Sequence, residues 1–167
     1  ASQLMPQWIA ALLAVGATVT LEDDDGSDEV PLDALVRKDR KGDVTALHIP
    51  PVGAGTYWGE ARVGRTPSDD PIVAVFAVLT MNGEVVETAR LAMTGVWSEA
   101  VRLAEAADVL VGKSLSGDRI ADVAAAVEDE VEPVGDYLGS EAYRRAMAGV
   151  LTRRALEACL EQEVGDA

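Results

Sequence analysis

The densest group of possible ligands in the sequence is the acidic run EDDDGSDE, from Glu22 to Glu29. Carboxylate oxygens are the ligands that calcium prefers, so this run is the first candidate for chemistry. An EF-hand loop built around Gly26 needs a ligand at the position of Leu21 and a glutamate at the position of Leu32. Because leucine occupies both places, the spacing argues against a calcium loop and predicts an acidic turn between two short strands.

The other reactive residue types do not form a catalytic constellation. The single histidine, His48, has no companions at the spacing of a zinc site or a Ser-His-Asp relay. The single cysteine, Cys159, excludes an internal disulfide and an iron–sulfur cluster held by this chain, and its place on a helix face is typical of a small core residue. The carboxylates between Glu128 and Glu132 are typical of a solvated helix end. The sequence has no Walker loop, GxGxxG or GxSxG motif, so its motifs predict no catalysis.

Charge and composition restrict the partners of the chain. Its 14 Lys and Arg residues against 29 Asp and Glu residues give a formal net charge of −15. This balance argues against binding to a nucleic-acid backbone or an anionic membrane and favours a protein partner with basic patches. The apolar run from Trp8 to Val15 is far shorter than the roughly 20 residues of a membrane span, and no basic segment precedes it. We therefore expect a globular cytoplasmic protein.

The elements that must position any site are strands followed by a block of helices. The apolar pattern predicts a first helix from Pro6 to Val15, a strand buried on both faces from Ile72 to Leu79, and a hairpin turn at Asn82-Gly83. Three helices should then begin near Ser98, Ser116 and Ser140. This order predicts an α+β fold in which a small antiparallel sheet packs against a three-helix layer.

The last predicted helix, from Ser140 to about Leu160, is the longest periodic segment. Its spacing predicts an apolar face made of Tyr143, Met147, Val150, Leu151, Ala155, Ala158 and Cys159. Arg144 and Thr152 lie off that face, so we expect them to meet solvent or a partner.

Three segments of the sequence resemble a known family. The run DYLGSEAYRR from Asp136 to Arg145, with GVLTRRAL after it, is similar to the end of the FAD-binding (medium) subunit of molybdenum hydroxylases, the family of carbon monoxide dehydrogenase and xanthine dehydrogenase. The segment ARVGRTPSDDPIV, which begins at Ala61, and the segment LAMTGV, which begins at Leu91, also resemble that subunit. The resemblance covers most of the chain.

The resemblance implies three cofactor-binding positions. Arg62 falls where the family commonly has a flavin-contacting lysine, and it keeps the positive charge. Val44 falls where the family makes a backbone contact to FAD. Gln7 falls where many members carry an aspartate that contacts FAD, so the carboxylate of that contact is lost. From its residue type alone, Arg62 is equally well a surface arginine on a strand.

The resemblance also implies a division of the chain. Residues 1–42 correspond to the end of the second FAD-binding subdomain, and residues 43–167 to the C-terminal domain of the flavoprotein subunit. The first FAD subdomain of the family, with its glycine-rich pyrophosphate cradle, has no counterpart in this sequence. We therefore expect a remnant of an FAD-binding subdomain before the α+β domain, in either a fragment or a naturally short homologue, with weak or absent affinity for FAD.

In such an enzyme the resemblance implies that electrons pass from a molybdenum cofactor through [2Fe–2S] centres to FAD and then to an external acceptor. The molybdenum cofactor and the iron–sulfur centres would lie on a large and a small partner subunit. The chain would then be part of an oxidoreductase complex and not active alone. The alternative function is a flavin-free protein-interaction module derived from the same C-terminal domain.

Overall fold

A computed structural model of the chain describes residues 6–23, 26–38, 42–66 and 68–166. Asp24 and Asp25, which belong to the acidic run considered above for calcium, lie outside the described residues. The helices are α1 (Pro6–Ala14), α2 (Leu32–Val36), α3 (Gly117–Glu130) and α4 (Glu141–Asp166), with a 3₁₀ helix at Glu105–Leu110. The strands are β1 (Thr18–Asp23), β2 (Gly26–Pro31), β3 (Asp43–His48), β4 (Thr56–Val63), β5 (Val73–Asn82), β6 (Val85–Thr94) and β7 (Val101–Leu103). No helix of this described part is both long and apolar enough to cross a membrane.

The strands form two antiparallel sheets. The small sheet has the order β2-β1-β3, and the large sheet has the order β4-β5-β6-β7. Helices α3 and α4 pack on one face of the large sheet, where alternate β5 residues such as Val75 and Leu79 are fully buried. This arrangement confirms the predicted α+β class.

The opposite face of the large sheet is covered by α1 and the small sheet. Phe76 and Val78 of β5 and Ala92 of β6 contact a second core that contains Ala10 and Leu13 of α1. Both faces of β5 are therefore covered, as its continuous apolar run predicted. The expected domain boundary at residue 42 falls between α2 and β3, and β3 pairs with β1 across it.

Several elements begin or end where the sequence predicted. Gly16 has φ of +74° after α1, which suits the glycine that ends a helix. Ser140 accepts a hydrogen bond from the Tyr143 amide at 3.2 Å, as an N-cap should. Gly83 has φ of +62° in the β5–β6 turn, so the hairpin signal at Asn82-Gly83 is also confirmed.

The regular pairing of the two strands of that hairpin is interrupted by a β-bulge. The pairing of β5 with β6 shifts between Thr80 and Met81, which leaves an additional residue on β6. As a result Val86 is 0% exposed and Val85 is 41% exposed. Strict alternation back from Leu91 would put Val85 on the buried face, and the register shift puts Val86 there instead.

The prediction of the first of the three C-terminal helices was also wrong. Residues 98–112 do not form one α-helix that begins at Ser98; they form β7, which pairs with β6, and then the 3₁₀ helix. Strand β6 offers a free edge at Thr94, and pairing with Val101 satisfies backbone groups that a helix would have left open there. Tertiary pairing thus overrides the helical pattern, and the helical layer consists of α3, α4 and the 3₁₀ helix.

The buried face of α4 is rotated relative to the predicted one. Tyr143 and Val150 are exposed, whereas Arg144 and Thr152 are buried. The prediction that these two polar residues meet solvent or a partner was wrong. The residues that α4 buries are Arg144, Ala148, Gly149, Leu151, Thr152, Ala155, Leu156 and Cys159.

Candidate functional site

Arg62 lies near the end of β4, on the face of the large sheet that also carries α1. The alternate residues Tyr57 and Ala61 pack against the core under α4, so Arg62 and Glu60 point to the opposite face. The guanidinium Nε of Arg62 lies 3.7 Å from Glu60 Oε1, and the side chain is exposed. Arg62 therefore remains accessible to an anion or to the edge of a polar ring.

A cavity of about 310 Å³ lies beside Arg62, and its lining includes Arg65, Asp69 and Pro71. Arg65 Nε lies 3.6 Å from Asp69 Oδ2, which neutralises part of the local positive charge. Two arginines thus line the same cavity, Arg62 on β4 and Arg65 just after the strand.

Gln7 lies in the first turn of α1, beside a second cavity of about 280 Å³. Its Nε2 lies 3.5 Å from Asp70 Oδ1. Pro71 lines both cavities, so Gln7 and Arg62 lie on the two sides of the segment that leads into β5. The structure therefore brings two of the three predicted positions into one region.

Val44 lies in the other sheet, on β3, and lines neither of these two cavities. Its partner on β1 is Leu21, whose side chain is buried in the core that contains α1. Residues directly opposite each other in a sheet lie on the same face. Val44 therefore faces the same side of the small sheet as α1, although its own side chain is exposed.

The outer face of β4 forms a surface that we name the β4 trough, with Trp58, Glu60 and Arg62 on its floor. Helix α1 packs on β5, β6 and β7, and Trp58 is left exposed. Val15, just after α1, lines a small cavity with Thr56 of β4, Val78 of β5 and Arg90 of β6. Trp8, in the first turn of α1, is 66% exposed. The sequence did not single out either tryptophan.

Arg144, which the sequence predicted to meet solvent or a partner, is buried and bonds to three segments at this end of the molecule. Its Nη1 donates to the carbonyl oxygens of Ile72 at 2.7 Å and of Gly95 at 2.9 Å. Its Nη2 lies 2.8 Å from both carboxylate oxygens of Asp136. One side chain thus joins the start of β5, the turn after β6 and the loop before α4. Arg144 also lines the cavity beside Gln7.

The surroundings of one carboxyl group and one thiol group shift their pKa values. The hydrogen bonds from Arg144, and then those from the amides of Leu138 and Gly139, hold the pKa of Asp136 below its ordinary value. Burial raises the pKa of the Cys159 thiol to about 12, so it stays protonated and is not a nucleophile at neutral pH. Among the described residues no group of three His, Cys, Asp or Glu side chains is placed to hold a metal ion.

The depressed pKa of Asp136 predicts a pH-dependent part of the stability. Because the folded-state pKa lies below the ordinary value of 3.8, the unfolded chain binds more protons between the two values. The stabilising contribution is therefore complete above the ordinary value and is lost as the pH falls through the folded-state value. We expect the difference in free energy of unfolding between the wild type and Asp136→Asn to shrink below about pH 4, as measured by urea denaturation at several pH values. A difference that stays constant down to pH 2 would contradict this assignment.

The residues of this region fit one end of FAD better than the other. The flavin ring is flat and aromatic with acceptor atoms along one edge, and the trough offers Trp58 and the cation of Arg62. The pyrophosphate needs a concentration of backbone N–H groups and positive charge. The cavity at the start of α1 is bordered by Asp70 and Glu99, and the guanidinium of Arg144, which also lines it, is bonded to Asp136. Trp58 and Arg62 therefore suit the ring end of FAD, whereas the lining of this cavity does not suit its pyrophosphate.

Comparison with known proteins identifies the relatives of this chain. Residues 62–159, more than half of the chain, match the family described as CO dehydrogenase flavoprotein C-terminal domain. The glyceraldehyde dehydrogenase medium chain of Sulfolobus acidocaldarius is 30% identical over 151 residues, which are 87% of this chain and 54% of the relative. The carbon monoxide dehydrogenase medium chain of Hydrogenophaga pseudoflava is 28% identical over 155 residues, which are 89% of this chain and 54% of the relative.

A solved structure gives the same result. The carbon monoxide dehydrogenase from Hydrogenophaga pseudoflava that lacks the Mo-pyranopterin moiety of the molybdenum cofactor superposes with a TM-score of 0.79 at 28% identity, covering 92% of this chain and 56% of that one. This chain thus spans about half the length of the relatives it matches. It belongs to the family of CO dehydrogenase flavoprotein C-terminal domains, which confirms the resemblance to the C-terminal part of the medium subunit of molybdenum hydroxylases.

Proposed function

We propose that this chain forms the flavin-facing C-terminal part of the medium subunit of a molybdenum hydroxylase. In that complex FAD would receive electrons from [2Fe–2S] centres and deliver them to an external acceptor. The observations that carry the proposal are the match of residues 62–159 to the CO dehydrogenase flavoprotein C-terminal domain and the exposure of Arg62 on the outer face of β4. Family membership supplies the flavoprotein context, and the position of Arg62 supplies a residue that can act in it.

The chain's own residues would bind and orient the cofactor. FAD, when bound, supplies redox chemistry that no side chain of this protein can supply. Arg62 can pair its guanidinium with the acceptor edge of the ring and favour negative charge there. Trp58 can exclude water from one face of the ring. Val44 would contribute through its backbone, and Gln7 through an amide that now lies near Asp70.

The partners and the division of the chain follow from the same proposal. A large subunit would hold the molybdenum cofactor and a small subunit the [2Fe–2S] centres, and the net charge of −15 suits basic surfaces on either. Residues 1–42 would be the end of the second FAD-binding subdomain, and residues 43–167 the C-terminal domain. The match over residues 62–159 supports the second part of this division. A cytoplasmic location is part of the proposal.

A flavin titration tests the role of Arg62. We expect the 167-residue chain to bind FAD weakly and Arg62→Ala to weaken that binding roughly tenfold, because one charge-assisted hydrogen bond is lost. Arg62→Lys should restore part of the affinity, since the charge is kept. Arg153→Ala, which removes an exposed arginine from α4, should bind like the wild type. Flavin fluorescence and visible absorbance report the dissociation constants.

Equal binding by the wild type and Arg62→Ala would exclude Arg62 from the site. Absence of binding up to high-micromolar FAD would favour the second candidate, a flavin-free interaction module. The observation that supports this second candidate is that Gln7, which the resemblance places where many members carry an aspartate, lies 3.5 Å from Asp70. Partner subunits that copurify with the chain but without flavin would support it further.

A further inference from the structure

Three threonines form a row across the outer face of the large sheet. Thr56 of β4 pairs with Thr80 of β5, and Thr80 pairs with Thr88 of β6. Residues directly opposite each other in a sheet lie on the same face. That face is the one that α1 covers farther along β5, because Val78, two residues before Thr80, contacts the core that contains α1. The row therefore lies just past the end of α1, on the side of the sheet away from α3 and α4.

Arg90 adds a cation to this row of hydroxyl groups. It follows Thr88 by two residues on β6, so it lies on the same face, and it lines a cavity of about 170 Å³ together with the three threonines. Its guanidinium lies against Gly16, the glycine that ends α1. A Cβ atom on Gly16 would overlap Nη1 of Arg90 and lie 2.9 Å from Cζ. Glycine at this position thus leaves the space that the guanidinium occupies.

These polar groups have no partner in the described part of the chain. No described residue accepts a hydrogen bond from the three hydroxyl groups or from Arg90. Arg90 also lines a neighbouring cavity with Glu87, Glu105 and Asp108, but it forms an ion pair with none of them. None of the described residues that line the threonine cavity is acidic, although the chain has a net charge of −15. Three hydroxyl groups and one guanidinium therefore converge on a space that offers them no anion.

The other walls of the cavity are apolar. They consist of Val15, Val78 and the Pro-Pro-Val segment at residues 50–52, which follows β3. The proline rings fix φ, so this wall is rigid. Apolar walls lower the local dielectric constant and strengthen the attraction between Arg90 and an anion. An apolar wall with a few convergent polar groups is the usual composition of a small-molecule site.

We propose that this cavity binds a small tetrahedral oxyanion, the chemical class of inorganic phosphate and sulfate. A guanidinium can donate two parallel hydrogen bonds to such an anion, and the hydroxyl groups can rotate to donate to its other oxygens. The volume of about 170 Å³ admits the anion with a few waters of about 30 Å³ each, whereas pockets for larger ligands start at about 300 Å³. The bound anion joins β4, β5 and β6 to the end of α1.

The oxyanion site is separate from the site proposed for flavin. Thr56 and Arg62 are six residues apart on β4, which corresponds to about 20 Å along an extended strand. The proposal therefore does not depend on whether the chain binds FAD.

A phosphate titration followed by amide NMR spectra tests this site. The 167-residue chain is titrated in a phosphate-free buffer, and sodium chloride keeps the ionic strength constant. We expect saturable shifts of the amides of Gly16, Thr80 and Arg90, with a dissociation constant on the order of 1 mM, and no saturable shift at Arg65. Acetate, which is planar and carries one charge, should bind at least roughly fivefold more weakly.

Two variants and a control assign the binding to these residues. Arg90→Gln should weaken phosphate binding at least roughly tenfold, because the charge-assisted hydrogen bonds are lost. Thr80→Val keeps the shape of the central residue of the row and removes its hydroxyl group, so it should weaken binding roughly threefold. Arg153→Gln removes an exposed arginine from α4 and should bind phosphate like the wild type. Equal urea midpoints show that the variants fold, and if Arg90→Gln is destabilised, Thr80→Val decides.

Four results would overturn the proposal. They are shifts that sodium chloride alone reproduces, no saturation up to about 20 mM phosphate, saturable shifts centred on Arg65, and equal phosphate affinity of the wild type and the two cavity variants. Acetate that binds as tightly as phosphate would contradict the tetrahedral class of the ligand.

Discussion

Replacing Arg144 with methionine is expected to lower the free energy of unfolding by about 2–4 kcal/mol, because two backbone carbonyls lose a charged donor. Methionine fills a similar volume but cannot donate to the carbonyls of Ile72 and Gly95, which Arg144 now bonds at 2.7 and 2.9 Å. The Asp136 carboxylate also loses its partner, but water can solvate this exposed group, so its contribution to the loss is small. The loss should concentrate where β5 begins and where β6 ends.

Urea denaturation followed by circular dichroism measures this effect. Arg153→Met, on an exposed position of the same helix, should stay within about 0.5 kcal/mol of the wild type. Arg144→Lys should fall between the two, since an ammonium group can reach fewer of the acceptors. A stability of Arg144→Met equal to that of Arg153→Met would show that the contacts of Arg144 do not hold these elements together.

Gly59→Ala is expected to be of comparable severity, at about 3 kcal/mol, because β4 and α4 touch backbone to backbone at this residue. A Cβ atom on Gly59 would lie 1.9 Å from the carbonyl oxygen of Ala155 and 2.8 Å from its carbonyl carbon. Neither group is a flexible side-chain end, so α4 has to move away from the sheet. This movement would also pull Gln162 from the edge of β4.

Gly53→Ala is the matched control for this substitution. A Cβ atom on Gly53 meets nothing within 4 Å, and the residue does not have a positive φ, so we expect little change in its stability. Chemical denaturation compares the two variants, and faster hydrogen exchange in the last turns of α4 should accompany Gly59→Ala alone. If both variants unfold at the same urea concentration, the close approach of β4 and α4 is not a constraint on the fold.

The elements that were predicted well are those whose own pattern agrees with their surroundings. Strand β5 is apolar on both faces and is covered on both, and the glycines after α1 and β5 take the positive φ that their turns need. Helix α3 begins after Ser116, whose hydroxyl accepts a hydrogen bond from the Arg119 amide. In these places local and tertiary preferences coincide, so the sequence is sufficient.

The predictions that failed concern segments whose structure depends on residues far away in the sequence. The alanine-rich segment after Ser98 has a helical pattern, yet the free edge of β6 recruits Val101–Leu103 as a strand. Arg144 has the residue type of a solvated position, yet it is buried because backbone carbonyls 72 and 49 positions earlier accept its hydrogen bonds. Neither partner can be found from spacing within the segment itself.

The candidate site was predicted in part. Resemblance placed Arg62, Val44 and Gln7, and the structure puts Arg62 and Gln7 on two sides of one segment. That they bind FAD is still a prediction. Trp58 was not predicted as part of the site, because its exposure follows only from knowing which face of β4 remains uncovered. The site depends on which faces remain open after packing, and that is a property of the assembled layers.

The contact between Gly59 and Ala155 has a consequence for which residues of β4 can be substituted. No layer of side chains lies between strand and helix at this point, so the distance between them is set by van der Waals contact of the two backbones and not by side chains that could be exchanged and repacked. Substitutions on the outer face of β4 should then leave the orientation of the strand unchanged. Trp58 and Arg62, on the outer face of β4, can thus be substituted while the contact on the opposite face keeps the strand in place.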